Sequence, residues 1–98
     1  MRLGFTSVVG DLFHAGHVAM IQESRRYCDF LIVAVMADTH DRVGKNKPLQ
    51  SLFERSYQVA RCKGVDMVIA CESEADLELA IKTIHPDVRF VGSDYKNK

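Results

Sequence analysis

Apolar residues follow two alternating rhythms along this chain. Leu3 to Val9 is a short β-rich stretch, and Phe30 to Ala37 (FLIVAVMA) is a continuous apolar run. Such a run suits a strand covered on both faces, which places it centrally in a sheet. Asp66 to Ala70 (DMVIA) and Val88 to Val91 (VRFV) read as two further short strands, bounded upstream by Gly64 and Pro86 and downstream by Cys71-Glu72 and Gly92. Between these runs the period becomes helical. Val18, Ile21 and Cys28 recur at helical intervals while Gln22, Glu23, Arg25 and Arg26 are left for solvent, which predicts a helix over 16–27. Ser51 and Glu54 have the spacing of a capping box that opens a second helix, for which Gly64 supplies a left-handed stop. Ser73 and Asp76 make a weaker cap. Leu77, Ala80, Ile81 and Ile84 then form one face of a third helix until Pro86 forbids continuation.

The resulting order, β-α-β-α-β-α-β, predicts an α/β fold: a parallel sheet with right-handed crossovers and helices on its faces. In such sheets ligands bind beyond the carboxyl ends of the strands, where the strand order reverses. The 98 residues suffice for a single domain and are too few for two. Thirteen basic residues balance thirteen acidic ones, which excludes the strong overall field of a dedicated nucleic-acid or acidic-membrane binder while leaving room for a local charged site. The longest apolar run falls far short of the roughly 20 residues of a membrane span, and no signal pattern opens the chain, so a cytoplasmic protein is expected. Cys28, Cys62 and Cys71 are odd in number and lack Cys-x-x-Cys spacing, so they read as reduced, mostly buried fillers.

Candidate chemistry concentrates after the first strand, where Gly10-Asp-Leu-Phe-His14-Ala-Gly16-His17 runs directly into the first helix. Two imidazoles three residues apart at a helix start lie on one side, beside free backbone amides that favour an anion, with phosphate the natural guest. Imidazole donates hydrogen bonds to charge building on phosphoryl oxygens, and Gly16 keeps the backbone clear for a triphosphate's approach. A His-x-x-His pair without a third ligand nearby makes zinc a poor alternative, and no metal ligand is assigned.

The segment Asp11-Leu-Phe-His14-Ala-Gly-His17 resembles the His-x-Gly-His signature of the nucleotidyltransferase superfamily. The resemblance is greatest to cytidylyltransferases acting on glycerol 3-phosphate and adenylyltransferases acting on heptose 1-phosphate. It continues through Asp38, Lys45-Asn-Lys47-Pro48, Glu54-Arg55, Val65-Asp66 and Gly92-Ser-Asp94-Tyr-Lys, covering essentially the whole chain. It implies the Rossmann-like sheet of these enzymes (the HUP-type fold) over 1–98 and transfer of CMP or AMP from CTP or ATP to a small phosphorylated alcohol or sugar. Pyrophosphate is released, and Mg2+ accompanies the triphosphate. By resemblance His14 and His17 stabilise charge at the α-phosphate and Lys45 closes over the phosphates. Val9, Gly10, Asp11, Gly16, Gly92 and Asp94 line the nucleotide, and Asp38, Lys47 and Arg55 serve the acceptor and phosphate region. Related enzymes are commonly homodimers, so a homodimer is expected too.

Each matched position outside the histidine pair also has an ordinary reading. Lys45 and Lys47 suit a solvated loop, Arg55 a helix surface, Asp38 a strand end and Asp66 a turn leading into a strand. Three features depart from the family pattern. The glycine preceding the motif has moved, leaving Val8-Val9-Gly10-Asp11; Lys63 stands where an arginine is usual before Val65-Asp66; and no Ser/Thr-rich segment follows before Lys98. A second function therefore stays open: a non-catalytic nucleotide-binding or dimerising module of the same fold.

Overall fold

A computed structural model of the chain describes residues 1–37 and 49–91. Within them seven elements follow in the order read from the sequence. These are β1 (Leu3–Val8), α1 (Ala15–Arg25), β2 (Phe30–Met36), α2 (Leu52–Ala60), β3 (Met67–Cys71), α3 (Glu74–Ile84) and β4 (Val88–Phe90). The four strands form one sheet ordered β3-β2-β1-β4, and every pair is parallel, with Leu3 opposite Phe30, Gly4 opposite Val88 and Ile32 opposite Met67. The sheet grows from β1 through β2 to β3 on one side, after which the chain returns to lay β4 on the other. The strand order thus reverses at β1, and the crevice beyond its carboxyl end is where ligands of such folds bind.

The apolar run in β2 is explained by its two faces. Leu31, Val33 and Val35 pack with Ile21 of α1 and Val59 of α2, while Ile32, Ala34 and Met36 pack with Phe5, Cys71 and Leu77 of α3. Alternate residues of a strand point to opposite faces, so a strand sandwiched between helix layers has no solvent side to mark with polar residues. α1 and α2 therefore cover one face and α3 the other.

Local details refine the sequence reading. The Ser51–Glu54 capping box forms as expected: Glu54 N–H donates to Ser51 Oγ at 3.1 Å and Ser51 N–H to Glu54 Oε1 at 2.8 Å. Gly64 does take a left-handed φ of 103°, but in the turn leading to β3, since α2 has already ended with Arg61 as its right-handed cap. At the end of α3, His85 adopts the left-handed conformation ahead of Pro86. Val18, expected to face the core, is exposed; the buried row of α1 is Ile21 and Ser24, continued by Cys28. Val18 lies in the first turn of α1. Ser24 tolerates burial because its hydroxyl donates to the Met20 carbonyl at 2.9 Å.

Arg25, expected to be left for solvent, is partly buried and paired with Asp66, which leads from a turn into β3. The Asp66 carboxylate accepts from Leu31 N–H at 2.8 Å and from Arg25 Nε at 3.1 Å, tying the end of α1 to the start of β2. Cys28 and Cys71 are buried, Cys62 is half-buried, and all three are free thiols. Burial pushes each thiol above its ordinary range, which suits inert packing.

Candidate active site

The loop from Val9 to His14 leaves the carboxyl end of β1 and turns back into α1. Its sharpness comes from two left-handed residues, Gly10 at φ 72° and Leu12 at φ 48°. At Gly10 a side chain would be strained by this φ, and its Cβ would lie 3.2 Å from Val59 Cγ2. The displaced glycine of the motif thus serves the turn itself, close against α2.

Asp11 and Leu12 fasten this loop to the segment preceding α2. The Asp11 carboxylate accepts from Leu49 N–H at 3.0 Å and Gln50 N–H at 2.9 Å, and Leu12 N–H donates to Gln50 Oε1 at 2.8 Å. These backbone amides, led by Leu49, hold the Asp11 carboxyl below its ordinary value, with the Arg55 charge adding to the effect.

His14 is the extended N-cap of α1, and the two imidazoles organise its first turn together. His14 Nδ1 accepts from Gly16 N–H at 2.9 Å, while His17 Nδ1 accepts from His14 N–H at 3.0 Å. The ring centroids are 4.1 Å apart, and Phe13 stacks on His17 at 5.1 Å with an interplanar angle of 7°. Two amides expected to be free for an anion are therefore engaged by ring nitrogens, a correction to the reading of the helix start. The donors that remain at this helix start belong to the rings themselves. A neutral imidazole accepting at Nδ1 carries its proton on Nε2, and among the described residues no hydrogen bond engages either Nε2.

Gly16 has a further use beside clearing the backbone. A Cβ there would lie 2.7 Å from His14 Cε1, so the ring occupies the space that any larger residue would take.

Burial and the neighbouring His14 lower the pKa of His17, with Asp11 opposing them. The His17 ring is accordingly neutral at pH 7. The sign for stability follows from the downward shift: the contribution is complete above the unfolded value near 6.5 and is lost as pH falls through the folded pKa. Ring titration by NMR is expected to give His17 a midpoint below the ordinary imidazole value, with thermal stability declining over the same acidic window. A midpoint above that value contradicts the placement.

Arg55, which the resemblance assigns to the acceptor and phosphate region, is 2% exposed, deep under the same loop. Its Nε donates to Gln50 O at 3.1 Å, Nη1 to Val9 O at 2.9 Å and Met36 O at 2.5 Å, and Nη2 to Ala37 O at 2.8 Å. Thus Val9, Gly10, Asp11, His14, Gly16, His17 and Arg55 gather around one strand end. Asp38, Lys45, Lys47, Gly92 and Asp94 lie outside the described residues. Phe13 and Gln50 went unnoticed in the sequence. Phe13 adjoins the histidines and offered a signal as a possible ring partner; Gln50 offered none, because its role arises from a contact 38 residues away in the chain.

This arrangement can be compared with known proteins. The cytidylyltransferase-like family matches residues 10–98. The chain belongs to this family of nucleotidyltransferases. Its curated relatives include the bifunctional protein HldE of a Nitratiruptor species, 36% identical over 99% of this chain. Another is the bifunctional protein HldE of Gluconacetobacter diazotrophicus, 39% identical over 98%. The chain spans about a fifth of the length of either relative (21% and 20%). Among solved structures, the lipopolysaccharide core biosynthesis protein from Thermoplasma volcanium matches with a TM-score of 0.85 at 28% identity, covering 98% of this chain and 78% of that one. The Rossmann-like fold expected of a cytidylyltransferase-like chain is therefore present.

The described residues alone do not form a cage for a resident magnesium ion. Among the described residues no group of three or more His, Cys, Asp or Glu is placed to hold a metal, and the Asp11 oxygens are committed to backbone amides. Mg2+ prefers oxygen ligands in an octahedral cage, which neutral imidazoles do not provide. No helix of the described residues is long and apolar enough to cross a membrane.

Proposed function

We propose that this chain is a single nucleotidyltransferase domain that transfers the nucleoside monophosphate of ATP or CTP to a small sugar phosphate and releases pyrophosphate. The observation carrying this reading is the reciprocal histidine pair, whose remaining ring donors are both Nε2–H groups at the switch point of the sheet. In the reaction an acceptor phosphate oxygen attacks the α-phosphorus, a new oxygen–phosphorus bond forms, and the bond to the bridging oxygen of the β-phosphate breaks. Two neutral donors at the α-phosphate oxygens favour the charge that builds there, and being held in place beforehand they cost no reorganisation. Magnesium enters with the triphosphate as part of the substrate.

A sugar phosphate is favoured as acceptor by the likeness to the lipopolysaccharide core biosynthesis protein and to HldE. Lys45, Lys47, Asp38, Gly92 and Asp94 complete the nucleotide and acceptor contacts in this proposal. The protein acts in the cytoplasm as a homodimer, a state that light scattering tests directly.

Pyrophosphate release is measured with Mg-ATP and Mg-CTP against a panel of sugar 1-phosphates and glycerol 3-phosphate. The expected result is release that requires an acceptor and is greatest with a sugar phosphate. Saturable triphosphate binding by calorimetry without release from any acceptor would instead favour the non-catalytic binding module. The absence of any triphosphate binding would reject both readings.

A further inference from the structure

We infer that Arg55 is a positioning residue for the histidine pair, acting through the backbone, and not a ligand of the substrate. The inference rests on the proposed transferase reading only for its kinetic consequence. Four of the five N–H donors of this guanidinium go to carbonyl oxygens, and those carbonyls belong to three separate segments. Val9 O lies at the start of the histidine loop, Met36 O and Ala37 O close β2, and Gln50 O belongs to the segment that Asp11 and Leu12 grip. One buried cation thus clamps both sides of the Asp11–Gln50 contact and locks them to the carboxyl end of the neighbouring strand.

The planar fork is what allows this. Its donors spread in fixed directions within one plane, so they reach several diverging carbonyls at once, whereas a lysine ammonium is a compact point charge that cannot span them. Parallel strands end with carbonyls facing the site, and loops leaving adjacent strands have no ladder to hold them together. Arg55 adds a buried connection between the loops after β1 and β2, beneath the one that Asp11 and Leu12 make. With 2% of its surface exposed, the side chain sits beneath the loop rather than in the crevice above it.

Two measurements test the assignment. First, Arg55→Lys is compared with Ile81→Ala, which loosens packing on the opposite face of the sheet. Arg55→Lys is expected to shift the His14 and His17 ring nitrogen signals in long-range NMR spectra and to lower kcat tenfold or more with KM within threefold. Ile81→Ala leaves ring signals and kcat unchanged. A tenfold rise in KM with kcat nearly intact, or ring signals identical to the unaltered protein, would overturn the proposal. Second, in the unaltered protein the Arg55 Nε–H signal is expected to exchange slowly with solvent and to hold its position when Mg-ATP or Mg-CTP is added. Rapid exchange, or a nucleotide-induced displacement as large as that of the histidine rings, would also overturn it. This measurement decides the matter even if Arg55→Lys does not fold. A protein with no turnover would sink the transferase reading while the ring signals and slow exchange still judged Arg55.

Discussion

Alanine at either His14 or His17 lowers turnover by a factor on the order of one hundred or more, the scale for removing one donor to developing charge. That factor corresponds to about 2.7 kcal/mol of lost transition-state stabilisation. Each ring also accepts from the backbone of the same turn, so His14→Ala frees Gly16 N–H and costs on the order of 1 kcal/mol of helix capping. Turnover is therefore compared well below the unfolding temperature of each variant. The two losses are not independent, since the two rings lie in contact, with centroids 4.1 Å apart. The double alanine variant is expected to lose less than the product of the single effects. Pyrophosphate release unchanged in either single variant contradicts the assignment.

Gly16→Ala separates stability from function with opposite signs. Alanine within a helix ordinarily stabilises by roughly 0.5–1 kcal/mol relative to glycine. Here the new methyl meets the His14 ring at 2.7 Å, and a terminal ring yields by rotating away, which limits the cost to the fold. The displaced ring loses its bond from Gly16 N–H and carries Nε2 away from the place where a phosphoryl oxygen needs a donor. Thermal melting is expected to show a variant about as stable as the unaltered protein, while turnover falls on the order of tenfold to a hundredfold. Full activity in Gly16→Ala would mean that the ring position does not matter.

What the sequence disclosed depended on how local each determinant is. The β2 run and the Ser51–Glu54 box are written in neighbouring residues, and both appear as read. The histidine pair is equally local, because spacing at a helix start places both rings on one side whatever the rest of the chain does. Val18, expected in the core, is exposed, while Ser24 is buried, because helical period alone does not fix which turns of a helix lie over a sheet. Gly64 marked a left-handed turn correctly, yet α2 had already stopped at Ala60. Arg55 was the hardest to read. Its surroundings come from four carbonyls contributed by Val9, Met36, Ala37 and Gln50, and a backbone oxygen leaves no trace in residue identity. Asp66 behaved likewise: its partners Leu31 N–H and Arg25 are set by tertiary packing. The motif thus points to the candidate site, while the supports beneath it become visible only in the folded chain.

The most direct test of the central claim is a crystal structure with a non-hydrolysable triphosphate analogue and magnesium. Both Nε2 atoms are expected about 3 Å from oxygens of the α-phosphate, with Nδ1 of each ring still accepting from the backbone of the first α1 turn. A nucleotide whose phosphates lie away from the carboxyl end of β1, or rings that turn their Nδ1 atoms toward the ligand, would contradict the account.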